Sequence, residues 1–158
     1  MEKQHYSRLQ IGLHWAVAAL IVANYFISEG MPEFFDQRLG GGLATGFIPT
    51  FHVWAGSALL VLVLLRTAVR FKQGAPAADA SGLVARLAGL GHLALYGLML
   101  AVPAFGAIAW FGKTELTANL HVLTMNGMML LILGHAAMAL FHQYVLRDGL
   151  LRRMMPQR

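Results

Sequence analysis

The sequence contains no cysteine. Disulfides, iron–sulfur clusters and thiolate metal sites are therefore excluded. Charge is also scarce: Asp, Glu, Lys and Arg make up 12% of the residues, against roughly 25% in soluble domains. Such a deficit, with 58% hydrophobic residues, means that most of the chain sits in a solvent that penalises charge. The net charge of +5 does not indicate nucleic acid, because the basic residues gather at the ends of apolar runs and not on one polar face. At 158 residues there is room for a single domain, taken here as 1–158.

What is abundant is apolar sequence in four long blocks. They run approximately over residues 9–28, 49–69, 87–110 and 118–141. Each is about 20 residues or slightly longer, the length that crosses ~30 Å of hydrocarbon at 1.5 Å per residue. The first block is not read as a signal peptide: no small-residue cleavage site follows it, and it is long enough to span. Between blocks one and two lies a polar, glycine-rich segment from Glu29 to Gly46. The second connection, Arg70 to Arg86, holds Pro76, Asp79 and Ser81, and the third, Phe111 to Thr117, is short. The expected fold is all-α, an integral membrane four-helix bundle running up-down-up-down.

Lys and Arg placement sets the orientation. Lys3, Arg8, Arg66, Arg70, Lys72, Arg86, Arg147, Arg152, Arg153 and Arg158 lie at one set of ends, and only Arg38 and Lys113 at the other. Both termini and the middle connection are therefore expected in the cytoplasm. Glu29, Glu33, Asp36 and Glu115 lean to the outer side.

With no thiolates, the histidines are the strong metal ligands on offer. His14 and His135 both sit ~8–9 Å below the inner boundary, counting 1.5 Å per residue from the ends of their blocks. His52 and His121 are each ~5 Å from the outer boundary by the same count. Two histidine pairs on different helices thus share two depths. A haem iron takes two axial nitrogens on opposite faces of a flat ring, which facing helices supply. Positions 121 and 135 on one helix differ by only ~40° in direction and ~21 Å in height, which stacks two haem b groups along the bundle. The plainer reading, that a membrane histidine is a hydrogen-bonded structural residue facing the bundle interior, accommodates one such residue more easily than four at matched depths.

Other residues carry two readings each. His142, at the inner water boundary, and His92 are candidates for contacting a haem propionate, a quinone or a proton, with a plain hydrogen-bonded role open for His92; His5 reads as a solvated terminal residue. Gly12, Gly56, Gly127 and Gly134 would admit a flat ring or serve ordinary close helix packing. Trp15 and Trp54 either pack on haem edges or mark the membrane interfaces. Ser57 and Thr124 are candidates to orient histidines. Arg66 and Arg70 share a face at the inner end of the second block, as positive-inside anchors or as partners of haem propionates. Pro103 suggests a kink. Met125, Met128 and Met129 read as packing.

The pattern resembles the bacterial cytochrome b561 family, the short di-haem, quinone-linked type. The resemblance is carried by Tyr6-Ser7-Arg8-Leu9-Gln10-Ile11 leading to His14-Trp15, by His52-Val53, and by Gly91-His92-Leu93. It continues through His121, Gly134-His135-Ala136-Ala137, His142 and the tail Leu151-Arg152-Arg153-Met154-Met155-Pro156. It covers nearly the whole chain. By that likeness His14 pairs with His135 on an inner haem and His52 with His121 on an outer one, in agreement with the depths. The resemblance implies the bacterial inner membrane and electron transfer between the periplasm and the ubiquinone pool. One branch looks like a superoxide oxidase, with superoxide as the periplasmic electron donor and ubiquinone as the acceptor. For that activity Lys113 is the first outer cation to consider as a guide for a small anion. The connection before the fourth block is shorter here than in some members, so the likeness does not fix the outer donor. Two rival readings stand: a cytochrome subunit relaying electrons between a dehydrogenase or hydrogenase and quinone, and a haem-free, histidine-rich membrane transporter. The oligomeric state is left open, a homo-oligomer included.

Overall fold

The computed structural model describes residues 5–74, 76 and 82–155; Lys3, Asp79, Ser81, Pro156 and Arg158 of the sequence reading lie outside them. The described residues form five α-helices: α1 (Arg8–Ile27), α2 (Met31–Leu39), α3 (Phe47–Gln73), α4 (Gly82–Gly112) and α5 (Glu115–Phe141). A π-helical turn, His142–Leu146, and a 3-10 turn, Leu150–Met154, follow. Four helices, all but α2, are long and apolar enough to cross a membrane, as expected. They follow one another in space: α1 packs on α3, α3 on α4 and α4 on α5.

The spans run beyond the apolar blocks at several ends. α3 reaches Gln73 and α4 begins at Gly82, because a helix satisfies its own backbone until a polar group or water takes over. The third connection shrinks to Lys113 and Thr114. Thr114 caps α5 through its side chain, and Lys113 turns the chain in a left-handed conformation with φ 52°.

The segment 29–46 is not simply a polar connection. It holds α2, whose Met31, Phe34, Phe35 and Leu39 are half-buried while Glu33, Asp36 and Gln37 are exposed. Pro32 in the first turn, Glu33 beside the N-terminus and Arg38 in the last turn are all favourable for a short helix. Arg38 ties α2 to the outer end of α4: its Nε donates to the Trp110 carbonyl at 2.8 Å, and its guanidinium lies 4.7 Å from the indole centroid.

The protein interior is narrow. Val17, Ile21, Leu59, Val63, Val102 and Met128 make a central apolar cluster at mid-membrane, with Met125 and Met129 packed against it. Many other apolar side chains are exposed, as lipid-facing residues are. At the inner end, Ser7 and Gln10 form a reciprocal capping box. Gln10, buried at 5% exposure, also donates Nε2–H to the Gly74 carbonyl at 2.9 Å, and Ser7 Oγ meets Gln73 Oε1 at 2.6 Å. One side chain thus closes the start of α1 onto the end of α3. Gln10→Leu removes both bonds and leaves the Ser7 N–H and the Gly74 carbonyl without it. A cost of roughly 1–3 kcal/mol is expected, read as a drop of several degrees in the unfolding midpoint of the detergent-purified protein.

Candidate functional site

The structure brings the four depth-matched histidines together in the two pairs that the sequence suggests. His14 on α1 and His135 on α5 have ring centroids 6.4 Å apart with an interplanar angle of 63°. His52 on α3 and His121 on α5 are 5.8 Å apart at 81°. Both pairs join helices whose main packing lies elsewhere, α1 on α3 and α5 on α4.

The outer pair is held by hydrogen bonds from other helices. Nδ1 of His121 meets the Val102 carbonyl of α4 at 2.8 Å, and Nδ1 of His52 meets Ser28 Oγ, at the end of α1, at 2.6 Å. A carbonyl only accepts, so His121 donates from Nδ1 and keeps Nε2 as its lone-pair nitrogen. The His121 ring fits because residue 106 is glycine: a Cβ there would lie 2.9 Å from Nδ1 and 3.0 Å from Cε1. Pro103, next to Val102, sits inside α4 without ending it. The notch that receives His121 is therefore built by α4 residues which the sequence reading left without a role.

At the inner level His135 has two histidine neighbours. The His92 ring of α4 is 5.3 Å away, closer than His14, and its Nδ1 bonds its own helix at the Ala88 carbonyl, 2.7 Å. Arg66 lies within electrostatic reach of both His14 and His135, and its guanidinium is 5.7 Å from the Tyr96 ring centroid. Arg70 is half-buried one turn further toward the inner end. Trp15 packs edge-on against His14 and donates Nε1–H to the Met154 carbonyl at 2.7 Å, which draws the C-terminal turn across the inner level.

His142 stands apart from the pairs. Its Nδ1 meets Asp148 Oδ2 at 2.5 Å, and Leu150 N–H donates to Oδ1 at 3.0 Å. The His142 hydrogen bond, then the Leu150 N–H, hold the Asp148 carboxyl below its ordinary pKa. Beside this pair is an open cleft lined by Gln143, Tyr144, Arg147, Asp148, Gly149 and Arg152, where Gln143 Oε1 is buried without a hydrogen-bond partner.

Several expected supports take other roles. Ser57 Oγ donates to the Val53 carbonyl and Thr124 Oγ1 to the carbonyls of Leu120 and His121, so both hydroxyls serve their own helix backbone and not an imidazole nitrogen. A Cβ on Gly12, Gly127 or Gly134 would meet no protein atom within 4 Å, and one on Gly56 would only reach Asn24 Nδ2 at 3.9 Å. Trp54 is exposed, and Lys113 is exposed at the outer turn. Ser28, Val102 and Gly106 are the site residues that sequence reasoning missed. A serine at the outer end of the first span, facing a span that opens on histidine, is the one signal that could have found Ser28.

Two imidazoles opposed across one metal ion, with metal–nitrogen bonds of about 2 Å, hold their ring centroids about 6 Å apart. Both pairs meet that requirement. Among the described residues no group of three or more His, Cys, Asp or Glu side chains could hold a metal ion; two facing imidazoles are the kind of donor set that a macrocycle completes. Histidine pairs between apolar spans are what a membrane cytochrome b requires.

The chain belongs to the prokaryotic cytochrome b561 family, whose model matches residues 5–157. It is 46% identical to a protein named cytochrome b562 from Cereibacter sphaeroides, over 97% of this chain and 96% of that one. A probable superoxide oxidase CybB from Yersinia pestis is 31% identical, over 97% of each chain. Cytochrome b561 homolog 1 of Escherichia coli is 28% identical, over 97% of this chain and 98% of that one. No solved structure matches the chain. Membership makes this a multi-pass bacterial membrane protein of electron transport, and the family implies haem b.

The contact between Gly106 and His121 yields a direct test. Gly106→Ala places a methyl group inside the van der Waals distance of the imidazole and pushes the ring out of its notch. The haem-to-protein ratio of the purified variant is expected to fall, while a helical circular-dichroism spectrum shows that the bundle remains.

Proposed function

We propose that the chain is a di-haem cytochrome b of the bacterial inner membrane, passing electrons from superoxide on the periplasmic side to ubiquinone. The observation that carries this reading is the meeting of histidines in two pairs at two membrane levels, 6.4 Å and 5.8 Å between ring centroids. His14 and His135 would hold the inner haem, and His52 and His121 the outer one. When bound, each haem supplies a one-electron iron couple. Everything else falls to the residues of the chain.

His121 and His135, ~21 Å apart along α5, would each hold one of the two carriers, with His52 and His14 as their partners. Val102 and Ser28 hold the outer imidazoles by their Nδ1 atoms. Arg66 and Arg70, at the inner end of α3, supply cations of a shape suited to propionate carboxylates. The apolar cluster of Val17, Ile21, Leu59, Val63, Val102 and Met128 keeps water out between the two levels. In this orientation the basic ends of the spans and both termini are cytoplasmic.

Superoxide is a small anion, and a cation near its point of entry raises its local concentration. Lys113, exposed at the outer turn, is the first choice. Arg38 on α2 is already engaged on Trp110. The name of the 31% identical relative, probable superoxide oxidase CybB, supports the donor.

Quinone reduction takes up protons as well as electrons. Of the two candidates, His142 is the better placed for exchange with inner water. It is paired with a carboxylate beside an open polar cleft, whereas the His92 Nδ1 is bonded to its own helix.

Two measurements check the reading. His121→Ala is expected to lower the pyridine haemochrome count from two haems per chain to one; an unchanged count, or one haem in the unaltered protein, refutes the paired-ligand arrangement. Lys113→Glu is expected to slow haem reduction by superoxide in stopped flow, by several-fold at low salt and less at high salt, as screening requires. Two haems without reactivity toward superoxide would point instead to a relay subunit of a larger quinone-linked enzyme.

A further inference from the structure

Ser28 caps the C-terminal end of α1 and reaches across to α3. Its Oγ lies 2.6 Å from His52 Nδ1, and the same oxygen contacts the main-chain carbonyl of Asn24 and, at 3.2 Å, Asn24 Oδ1. A hydroxyl has one proton to give and two lone pairs with which to accept. The Asn24 carbonyl and Oδ1 can both take the Ser28 proton, which leaves Oγ free to accept from His52. If His52 binds iron through Nε2, as the ligand reading has it, its proton lies on Nδ1 and Ser28 Oγ, 2.6 Å away, is its acceptor.

His121 reaches the same state through the Val102 carbonyl at 2.8 Å. The two levels differ in this respect. Among the described residues, no hydrogen bond is made by a ring nitrogen of His14 or His135, and the positive charge of Arg66 acts on both. Of the two outer acceptors, the one on His121 is backbone and cannot be removed by substitution, whereas the one on His52 is a side chain.

We propose that Ser28 is a tuning residue of the outer haem: by accepting the Nδ1–H of His52 it strengthens that imidazole as a donor to iron and lowers the reduction potential of the outer haem relative to the inner one. The inference rests on the ligand reading above. An acceptor on the far nitrogen of a ligating histidine raises its basicity, and a more basic ligand favours the ferric state over the ferrous, which carries one positive charge less. Hydrogen bonding of this kind is one of the protein's levers on a haem potential. Among the described residues the inner pair has no such acceptors, and the nearby Arg66 guanidinium would favour the less positive ferrous state. Both differences bias the electron toward the inner level. With both haems bound, transfer between them would exchange one electron and no proton or bond, so the step would balance within the chain.

The test is a spectroelectrochemical titration of the purified two-haem protein, with the outer wave assigned by its disappearance in His52→Ala. Ser28→Ala is expected to raise the outer midpoint by the equivalent of about tenfold in the reduction equilibrium, about 59 mV for one electron, and to leave the inner midpoint in place. Ser28→Thr, which keeps the hydroxyl, is expected to restore the original value. Ser28→Cys, near in size but a weak acceptor, is expected to shift it in the same direction as alanine, and it serves where alanine lowers haem content. An outer midpoint unmoved in both Ala and Cys variants overturns the proposal, as does an equal shift of both haems. If His52→Ala still holds two haems, the ligand reading itself fails. If it loses one haem while Ser28→Ala moves nothing, only the role of Ser28 falls.

Discussion

An imidazole buried among apolar helices has to settle where its one proton goes, and that requirement organises the outer half of this protein. His121 donates its Nδ1–H to the carbonyl of Val102, and His52 meets Ser28 Oγ. Each bond fixes a ring across a helix boundary, so ring orientation and helix packing are one arrangement. Gly106 exists for the same reason: α4 can approach α5 at that level only where no Cβ intrudes on the His121 ring. The contacts that give the bundle its order are few and polar, as expected where lipid removes the hydrophobic gain of helix association.

The two levels are built on different terms. The outer pair is clasped by acceptors on α1 and α4, and the outer end is stiffened by α2, with Arg38 bonded to and lying over Trp110. The inner level is crowded with positive and titratable groups. His92 lies 5.3 Å from His135, Arg66 acts on both inner histidines, and the His142–Asp148 pair closes the π-helical turn nearby. One end is tied together by hydrogen bonds between helices, the other gathers charged and titratable side chains. That division suits a protein of the prokaryotic cytochrome b561 family, in which electrons must cross between two unlike environments.

Most of the architecture was legible in the sequence because the bilayer imposes length and polarity rules that leave few solutions. Four apolar blocks became four helices able to span. The blocks understated their lengths, because helices run on through the polar boundary until a cap such as Ser7 or Thr114 meets them. The helix α2 escaped because its nine residues are amphipathic and bordered by glycines, a pattern that polar connections share. Among site residues, the four histidines could be matched by depth alone, since rise per residue along a helix converts directly into height.

Height, however, is all that a single strand of sequence supplies. It determined the class of fold, the levels of the histidines and which of them could meet in pairs. Which groups touch the far side of each ring was decided by tertiary structure. Ser28, Val102 and Gly106 come from helices other than the one whose histidine they serve, and their roles depend on rotation and lateral approach, which no residue count encodes. The same reason explains Ser57 and Thr124, which had the right residue type and level but turned their hydroxyls to their own backbones. A hydroxyl in a membrane helix always has its own carbonyls within reach, and only the packing of neighbouring helices offers an imidazole instead.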